Sequence, residues 1–539
     1  MMPQLSIKGF ALACIAAGGA GFSPTFTDRA RRRPIERDRR RTRPRLLPSS
    51  SSSVALRSSW NAVVDYAATI DVAEDARREI SSMEGWAAER GVQRAEGFAL
   101  VEEGREVRAA AMADVVAGSP ILYVPEELIL TSGKAIAELR CAEMEDAELV
   151  MEWNGAESEY RYWYLMLKIL KEVQEGRDSP WFPWLNSLPR YFSNAASMTD
   201  FCLQCLPPLM RRLANEEREN QVRLSKESIE NVPFLGDGIK NHRQDFVKWA
   251  YQIAYTRSVE TEDGDLRIVP VADYFDHTSA DYVEVQSSYD DAGNYYAYAP
   301  YDVEAGTPLR IRYADPRNPS HLLARYGFLD EESPATYCKL LPETVNEDMT
   351  DLGYAHDRML FYRTGEVADE VWDIFLYQHL SSTNIDDQQA LMWAHRTGDS
   401  ETKLALHEKH YAATSAALLE HVDSFVDEID RLIKKAETIG VDDPNSIYVR
   451  YEHPRLPLIH RHNLFVRETF ANVRSKYSED PDVSWRDATK VTVQECDDTE
   501  CAIAECVQNW MGEWECEGGL GPNWDGSERT KTKTIIAAQ

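Results

Sequence analysis

The hydrophobic positions of this chain follow two periods, one typical of strands and one typical of helices. Short apolar runs predict strands in two groups, one before and one after a long helical stretch. These runs are residues 98–101, 121–130, 266–271, 295–298 and 309–313. A helical pattern also covers residues 60–90, ahead of the first run. We therefore expect a β-rich unit that is interrupted by helices.

Residues 135–258 form the long helical stretch between the two groups of strands. Apolar residues recur there at intervals of four, three and four, which is the period of one buried helix face. They are Tyr162, Met166, Ile169 and Val173, and Gly176 is predicted to end that helix. After Pro334 the chain is mostly helical again. A second stripe, formed by Leu418, Val422, Phe425, Ile429 and Leu432, indicates a helix core rather than a ligand site.

These patterns predict an α+β fold with three parts after an N-terminal leader. The β-rich domain spans residues 59–334 and contains a helical insertion at about 135–245. A mostly α-helical domain follows at residues 335–475. The remaining residues, 476–539, are acidic, contain cysteines and show little periodicity, so we expect this tail to be partly disordered.

The first 58 residues have the composition of a targeting leader. Residues 1–21 combine Lys8, a short apolar stretch and small residues, like a signal peptide, and the apolar stretch is too short to span a bilayer. Residues 22–58 begin at Phe22 and are rich in Arg and Ser, like a transit peptide. The order resembles the bipartite leader of algae with complex plastids, which implies the chloroplast stroma. A disordered basic arm or a secreted protein with a basic propeptide are the alternatives.

The charge of the chain narrows its choice of partner. The formal net charge is −31, although residues 1–60 hold eleven Arg and one Lys against three acidic residues. The rest of the chain therefore carries a formal charge of about −40. Such a body repels phosphate backbones, which excludes nucleic acid and favours a basic loop or tail of a protein substrate. We expect a monomer with no membrane span in the mature protein.

Three close pairs of cysteine or histidine have spacings that could suggest metal binding: Cys202 with Cys205, His407 with His410, and His460 with His462. The cysteine pair has no second pair at zinc spacing, so we expect it to pack in the core. The second pair is one residue too close for an HExxH motif and is expected on a solvated helix face. The third pair lacks a third ligand. No metal is predicted, and the absence of GxSxG, HExxH, P-loop and GxGxxG motifs argues against hydrolases, metalloproteases and Rossmann dehydrogenases.

Four segments carry the functional prediction. They are residues 118–125 (GSPILYVP), residues 179–189 (SPWFPWLNSLP), residues 256–258 (TRS) with 269–279 (VPVADYFDHTS), and residues 313–328 with two tyrosines thirteen positions apart. Their order and spacing resemble the SET-domain lysine methyltransferases of the plant Rubisco large-subunit methyltransferase type. The resemblance covers about residues 75–335, and more loosely the helical region to about 475. It implies a SET domain followed by a helical substrate-binding domain.

The resemblance implies a reaction and a set of site residues. The reaction is S-adenosylmethionine-dependent methylation of a protein lysine, with Tyr313 at the point of methyl transfer and Tyr326 lining the lysine channel. The cofactor would lie among Arg257, Asp273, Asp276 and His277, with His277 acting through its backbone. The alternatives are an ordinary strand tyrosine at the sheet surface for Tyr313 and a core aromatic for Tyr326. For Arg257 and Asp273 the alternative is a structural ion pair, and for His277 it is a satisfied core histidine. The substrate is expected to be a non-histone plastid protein, and methylation of histidine stays open.

Three positions depart from the family pattern. Asp276 stands where the family has asparagine, residues 106–108 (EVR) replace a Gly-x-Gly turn, and Asn318 precedes Pro319 where the family usually has Ser-Asn. An acceptor-only carboxylate replaces an amide, and side chains replace glycines where the cofactor approaches the backbone closely. These departures favour a second hypothesis, a catalytically weak or inactive SET scaffold that binds a partner protein.

Overall fold

The computed structural model describes residues 70–478, apart from residues 226, 281, 316, 318, 338–344, 356 and 444, together with the backbone of three short strands further along the chain. The leader, Asn318 and Cys338 lie outside the described residues, as do the side chains of Cys496, Cys501, Cys506 and Cys516. Within the described part of the chain, no helix is long and apolar enough to cross a bilayer.

The helical pattern predicted over residues 60–90 is wrong for residues 70–79. The first helix, α1, spans only Ile80–Glu89, and residues 70–79 contain turns and irregular structure. Ile70 and Val72 are both buried. Residues two positions apart point to nearly opposite sides of a helix but to the same side of an extended chain. The segment therefore satisfies its core contacts without forming a helix.

Short strands lie on both sides of the helical insertion, as the two groups of apolar runs predict. Those before it are β1 (Gln93–Arg94), β2 (Phe98–Glu103), β3 (Glu106–Ala111), β4 (Pro120–Val124) and β5 (Leu130–Thr131). Those after it are β6 (Val259–Glu260), β7 (Leu266–Ile268), β8 (Asp276–His277), β9 (Gln286–Tyr289), β10 (Tyr295–Tyr298) and β11 (Arg310–Ile311). Each predicted run contributes at least one of these strands.

The strands form several small sheets rather than one large one. The largest of these in the β-rich region has the order β1-β4-β10-β9 with antiparallel pairing, and Tyr295 of β10 lies opposite Val124 of β4. β2 and β3 form a hairpin, β5, β6 and β7 form a three-stranded sheet, and β8 pairs with β11 in parallel. The β8–β11 pair is central to the site because it joins segments that are distant in sequence.

The insertion consists of helices between Ser132 and Arg257. They are α2 (Ser132–Leu139), α3 (Glu145–Trp153), α4 (Tyr160–Glu175), α5 (Phe182–Leu185), α6 (Asp200–Gln204), α7 (Pro208–Ser225), α8 (Glu227–Glu230) and α9 (Gln244–Arg257). The predicted stripe lies on α4, where Met166, Ile169 and Val173 are buried. Gly176 has φ 57 and follows the last residue of α4, which is the conformation that favours glycine at a helix end.

The region after the strands is mostly helical. Its elements are α10 (Pro319–Tyr326), β12 (Ala335–Tyr337), α11 (Glu347–Asp351), β13 (Leu360–Tyr362), α12 (Asp369–Thr383), α13 (Ile385–Thr397), α14 (Ser400–Glu437) and α15 (Leu456–Ser478). β14 (Val491–Cys496), β15 (Cys501–Gln508) and β16 (Trp514–Glu517) follow. The predicted stripe from Leu418 to Leu432 is buried along α14, and the rings of Phe425 and Phe470 on α15 lie 4.5 Å apart.

A hydrophobic cluster joins the insertion to the C-terminal helices. Cys202 and Cys205 are buried free thiols that pack with residues such as Ala436 and Ile459, as the core interpretation of this cysteine pair predicts. The Asn463 side chain also donates a hydrogen bond to the Cys205 carbonyl oxygen, 2.8 Å away. The cluster thus crosses the boundary predicted at residue 334, and we call it the shared core.

The solvated helix face predicted for His407 and His410 is wrong. His407 is buried, and its Nε2 lies 2.8 Å from Asp373 Oδ1. The other oxygen of this carboxylate, Oδ2, accepts a hydrogen bond from Lys403 at 2.6 Å. His410 Nε2 lies 2.7 Å from Asp387. The reason is that α14 packs against both α12 and α13, so this face of α14 is interior rather than solvated.

Candidate active site

The parallel pairing of β8 with β11 assembles the predicted site residues. Asp276 lies opposite Arg310 and His277 lies opposite Ile311. The Thr278 backbone N–H continues the pairing by donating to the Ile311 carbonyl oxygen at 3.0 Å. Tyr313 follows β11 directly, so this pairing brings it beside the segment 269–279 although the two segments are more than 30 residues apart.

Tyr313 is held by two hydrogen bonds to the neighbouring strand. Its backbone N–H donates to His277 Nδ1 at 3.1 Å, and its hydroxyl donates to the Phe275 carbonyl oxygen. Burial raises the pKa of Tyr313, so the phenol stays protonated at neutral pH. Because its proton is donated to Phe275, the hydroxyl oxygen keeps its lone pairs available as acceptors.

The ring of His277 is structural. Since Nδ1 accepts from Tyr313, Nε2 carries the proton, and it faces Ser279 Oγ at 3.2 Å and Asp330 Oδ2 at 3.5 Å. Burial lowers the pKa of His277 to about 4, although the charge of Asp330 opposes that shift. The histidine is therefore neutral at physiological pH, and the role of its backbone in cofactor binding stays a prediction.

Tyr313 belongs to a cluster of three aromatic rings. The ring centroids of Tyr313 and Tyr326 lie 5.1 Å apart, and Phe328 lies 6.2 Å from each of them. Gly327 adopts φ +82, and a Cβ there would lie 2.3 Å from the Asn194 backbone nitrogen. The close approach of Gly327 to Asn194 holds these three rings, here called the aromatic wall, against the insertion. Only glycine fits at position 327.

A second layer of aromatic residues lies behind Tyr326. Arg325 donates to the Tyr162 hydroxyl at 2.8 Å, and its guanidinium lies 4.6 Å from the Tyr255 ring centroid. The rings of Tyr162 and Tyr255 lie 4.6 Å apart. Sequence reasoning missed this layer because Tyr162 fits an ordinary core stripe on α4. The only available signal was the position of Arg325 inside the quoted segment 313–328.

Arg257 and Asp273 form the ion pair that was the structural alternative to cofactor binding. Arg257 Nη1 lies 3.1 Å from Asp273 Oδ2 and also donates to the Asp273 carbonyl oxygen. The pair nevertheless leaves bonding capacity unused. Arg257 Nε is buried without a hydrogen-bond partner among the described residues, while the Trp184 side chain lies beside the Asp273 carboxylate and favours its charged form. A buried donor without a partner is costly unless a ligand or water meets it.

The segment 179–189 packs against the turn that carries Asp273, the carboxylate of the ion pair with Arg257. Trp184 comes from it, and the Tyr274 hydroxyl donates towards Ser187, whose carbonyl and side-chain oxygens both lie 2.9 Å away. Val271, just before Asp273, has φ 72, which is a strained conformation for a β-branched residue. A Trp-containing loop and a strained turn thus fix the position of Asp273. Sequence reasoning quoted this segment without recognising that Trp184 faces the site.

Asp276 is the site residue with the least support from the protein. Its carboxylate is partly buried and makes no hydrogen bond or ion pair with any described residue. Burial raises the pKa of Asp276 to about 6, and Arg108, Arg257 and Arg310 only partly oppose that shift. A partly desolvated carboxylate that forms no ion pair with any described side chain is suited to receive a cationic group.

The segment 106–108, where the family has its glycine turn, is a regular strand here. It begins β3, and the chain turns earlier, at Gly104 with φ 64. The Leu309 backbone links β3 to β8, because its N–H donates to the Ala109 carbonyl oxygen of β3 and its own carbonyl oxygen accepts from the Asp276 backbone N–H of β8. Arg108 forms an ion pair with Glu103 at 2.5 Å, while its Nε is buried without a partner in the described part of the chain. Charged side chains therefore stand beside Asp276 where glycines would leave space.

With this geometry established, comparisons with known proteins identify the fold. No family model matches the chain, and no curated protein matches it at a significant level. Solved structures of SET domains do match. The SET domain of LSMT bound to lysine and AdoHcy is 15% identical with a TM-score of 0.53, covering 74% of this chain and 91% of that one. Rubisco LSMT bound to AdoMet is 16% identical with a TM-score of 0.51, covering 75% and 92%.

A third structure, Rubisco LSMT bound to sinefungin and monomethyllysine, is 15% identical with a TM-score of 0.52 and covers 75% of this chain and 92% of that one. The chain therefore has the SET-domain fold. In particular, about three quarters of this chain, including strands and helices, aligns with the Rubisco LSMT structures. Both the predicted α+β class and the resemblance of fold are confirmed.

Proposed function

We propose that this protein is an S-adenosylmethionine-dependent protein-lysine N-methyltransferase. The observation that carries the proposal is the meeting of Tyr313, Tyr326 and the polar groups of segment 269–279 at the β8–β11 pair, in a fold shared with structures that bind AdoMet and lysine.

The polar groups of the site match the charged end of the proposed cofactor. The methionine moiety of S-adenosylmethionine carries a carboxylate and an ammonium. Arg257 Nε is a buried donor with no hydrogen-bond partner among the described residues, and Asp273 supplies a fully buried carboxylate. The unpaired carboxylate of Asp276 is a second acceptor for the ammonium. One donor and two acceptors at the same place thus fit a zwitterionic ligand, and Arg257, Asp273 and Asp276 would hold it.

The aromatic groups would position the amine. When bound, S-adenosylmethionine supplies an electrophilic methyl group on a positively charged sulfonium. The Tyr313 hydroxyl oxygen, fixed by its bond to Phe275, can accept CH···O contacts from polarised methyl groups and align the incoming amine. Tyr326 and Phe328 offer ring faces that attract an ammonium or methylated amine and exclude water.

The proposed substrate is a protein that presents a basic loop or tail. The chain downstream of residue 60 carries a formal charge of about −40, so it attracts a basic segment. The helical domain predicted at residues 335–475 is proposed as the surface that docks this protein. The leader composition supports a non-histone protein of the plastid stroma as the substrate.

The test is cofactor binding by titration calorimetry together with methyl transfer by residues 59–539. Tyr313→Phe is expected to lower turnover at least about tenfold, equivalent to ~1.4 kcal/mol, with cofactor affinity nearly unchanged, because the hydroxyl acts at the transfer point. Tyr298→Phe removes an exposed hydroxyl bonded to Gln286 and serves as the control. Loss of turnover in both variants, or in neither, would contradict the assigned role of Tyr313.

A second candidate function is a SET scaffold that binds a partner protein without turnover. The observation that favours it is the occupation of the glycine-turn position by Glu106 and Arg108, beside Asp276. In that case the wild-type protein binds no S-adenosylmethionine, and Asp276→Asn partly restores binding by removing repulsion against the cofactor carboxylate. Tight wild-type binding with Tyr313-dependent turnover would eliminate the scaffold hypothesis.

A further inference from the structure

The turn between α14 and α15 brings together a histidine and two carboxylates. Glu437 is the last residue of α14, Asp442 lies in the turn, and His460 lies in the second turn of α15. One possible ligand atom from each residue lies within 4.8 Å of the other two. All three residues lie far along the chain from the segments that build the candidate active site.

His460 is the observation that points to a ligand. The residue is only 8% exposed, and its Nε2 is buried without a hydrogen-bond partner in the described part of the chain. Nε2 faces Glu437 Oε1 at 3.9 Å, and Nδ1 faces Asp442 Oδ1 at 3.6 Å. Both separations exceed the roughly 2.7–3.2 Å of a hydrogen bond. A buried ring nitrogen that faces a carboxylate beyond hydrogen-bond distance has bonding capacity that a ligand between the two groups would satisfy.

The chemistry of the three side chains specifies the ion. A metal bound to nitrogen or carboxylate oxygen at about 2.0–2.2 Å holds neighbouring ligand atoms roughly 3–4 Å apart. Imidazole favours a transition metal over calcium or magnesium, and two carboxylates balance its double charge. Glu437 also ends α14, where the helix dipole favours a cation. We propose that Glu437, Asp442 and His460 bind a divalent transition-metal ion of the zinc type.

This site differs from the one that the sequence pattern suggested. The sequence paired His460 with His462, but residues two apart point to nearly opposite sides of a helix. His462 is itself buried, and its Nδ1 lies 3.3 Å from the Asn463 side-chain oxygen. The two carboxylates come from a different helix and its following turn, a juxtaposition that only the fold provides.

The position of the site gives the ion a structural role. Val441, one residue before Asp442, and Ile459, one residue before His460, both belong to the shared core with Cys205. An ion that ties Glu437 and Asp442 to His460 would fix the turn that presents these apolar residues to the insertion. Metal binding is therefore expected to stabilise the join between the helical region and the insertion.

The experiment is zinc titration of the metal-free full chain by calorimetry, paired with thermal unfolding. Glu437→Gln and Asp442→Asn alter side chains that are 46% and 69% exposed, so both variants are expected to fold. Each is expected to weaken one zinc site at least tenfold and to reduce the zinc-induced rise in melting temperature. Glu420→Gln, an exposed change elsewhere on α14, serves as the control and is expected to behave like the wild type.

Cysteines elsewhere in the chain could also bind zinc, so cobalt(II) provides the second measurement. The cobalt bound at the proposed site is expected to lack a thiolate charge-transfer band, and Glu437→Gln is expected to remove that spectral component alone. Unchanged zinc stoichiometry and affinity in both variants would overturn the proposal. So would a change only in the pH dependence of unfolding without any metal effect, since that result would identify a protonated His460 between two carboxylates.

Discussion

Replacing Asp276 by asparagine tests the electrostatics of the site directly. Burial raises the pKa of Asp276 from 3.8 to about 6. Each pKa unit corresponds to about 1.4 kcal/mol, so the shift is equivalent to ~3 kcal/mol, and partial exposure reduces the expected effect to about 1.5–3 kcal/mol. Well below pH 3.8, at about pH 3 or lower, the carboxyl group is protonated in both the folded and the unfolded state and costs nothing.

As the pH rises from about 4 to 6, the unfolded chain loses this proton first, so the folded state becomes less stable. Above about pH 6 the full cost of the buried charge remains. An asparagine side chain at this position would carry no such cost. Asp276→Asn is therefore expected to be more stable than the wild type by about 1.5–3 kcal/mol at about pH 8 and nearly equal to it at about pH 3.

The assay is urea unfolding of the ligand-free protein at several pH values. Asp291→Asn changes an exposed carboxylate in the turn between β9 and β10 and serves as the control. A stability difference that is independent of pH, or a variant that is less stable than the wild type under mildly alkaline conditions, would refute the reasoning. The proposed cofactor adds a second measurement, since its ammonium pairs with the ionised carboxylate.

Affinity for S-adenosylmethionine is therefore expected to rise through a pH of about 6 in the wild type. In Asp276→Asn the affinity should be flat over the same range, and at neutral pH it should differ from the wild type by no more than about tenfold. A flat profile in both proteins would separate Asp276 from cofactor binding.

Three further predictions concern the aromatic wall, the helical core and the leader. Gly327→Ala is expected to destabilise the fold clearly more than Gly306→Ala does. Both residues have positive φ, but only a side chain at position 327 would clash with Asn194. Equal unfolding curves for the two variants would contradict the close approach. Phe425→Ala is expected to lower the unfolding free energy by about 3–5 kcal/mol in denaturant titration, against almost no change for exposed Lys434→Ala. Residues 1–60 fused to a fluorescent protein should enter a plastid, and Phe22→Ala should leave the fusion outside it; a cytosolic or nuclear signal from the intact leader would reject the targeting hypothesis.

Much of the fold could be predicted because local patterns agree with the tertiary structure. The stripe from Leu418 to Leu432 is buried as a helix period requires, and the runs around residues 121–124 and 295–298 pair in one sheet. Residues 70–79 were misassigned because burial of Ile70 and Val72, not local helix propensity, sets their conformation. A short segment at the edge of a pattern provides too few positions to separate the two periods.

The site was only partly predictable for a different reason. Tyr313 and His277 come together through strand pairing, and the quoted segments contained both residues. Their ordered motif was sufficient to place them at one site. Trp184 and Tyr162 approach the site through helix packing, which leaves no spacing signal in the sequence. The same applies to His407, which looked solvated because its partner Asp373 is 34 positions away.

The shared core also affects how this protein folds during its synthesis. Cys205 and Asn463 are hydrogen-bonded partners separated by 258 residues. At translation rates of about 5–20 residues per second, the C-terminal helices are synthesised roughly 13–50 s after Cys202 and Cys205, and the apolar surface around these cysteines stays uncovered for that time. During that interval the nascent chain exposes a patch that attracts chaperones or other chains. Ribosome-bound intermediates that end before residue 436 are therefore the species in which aggregation and thiol oxidation should concentrate.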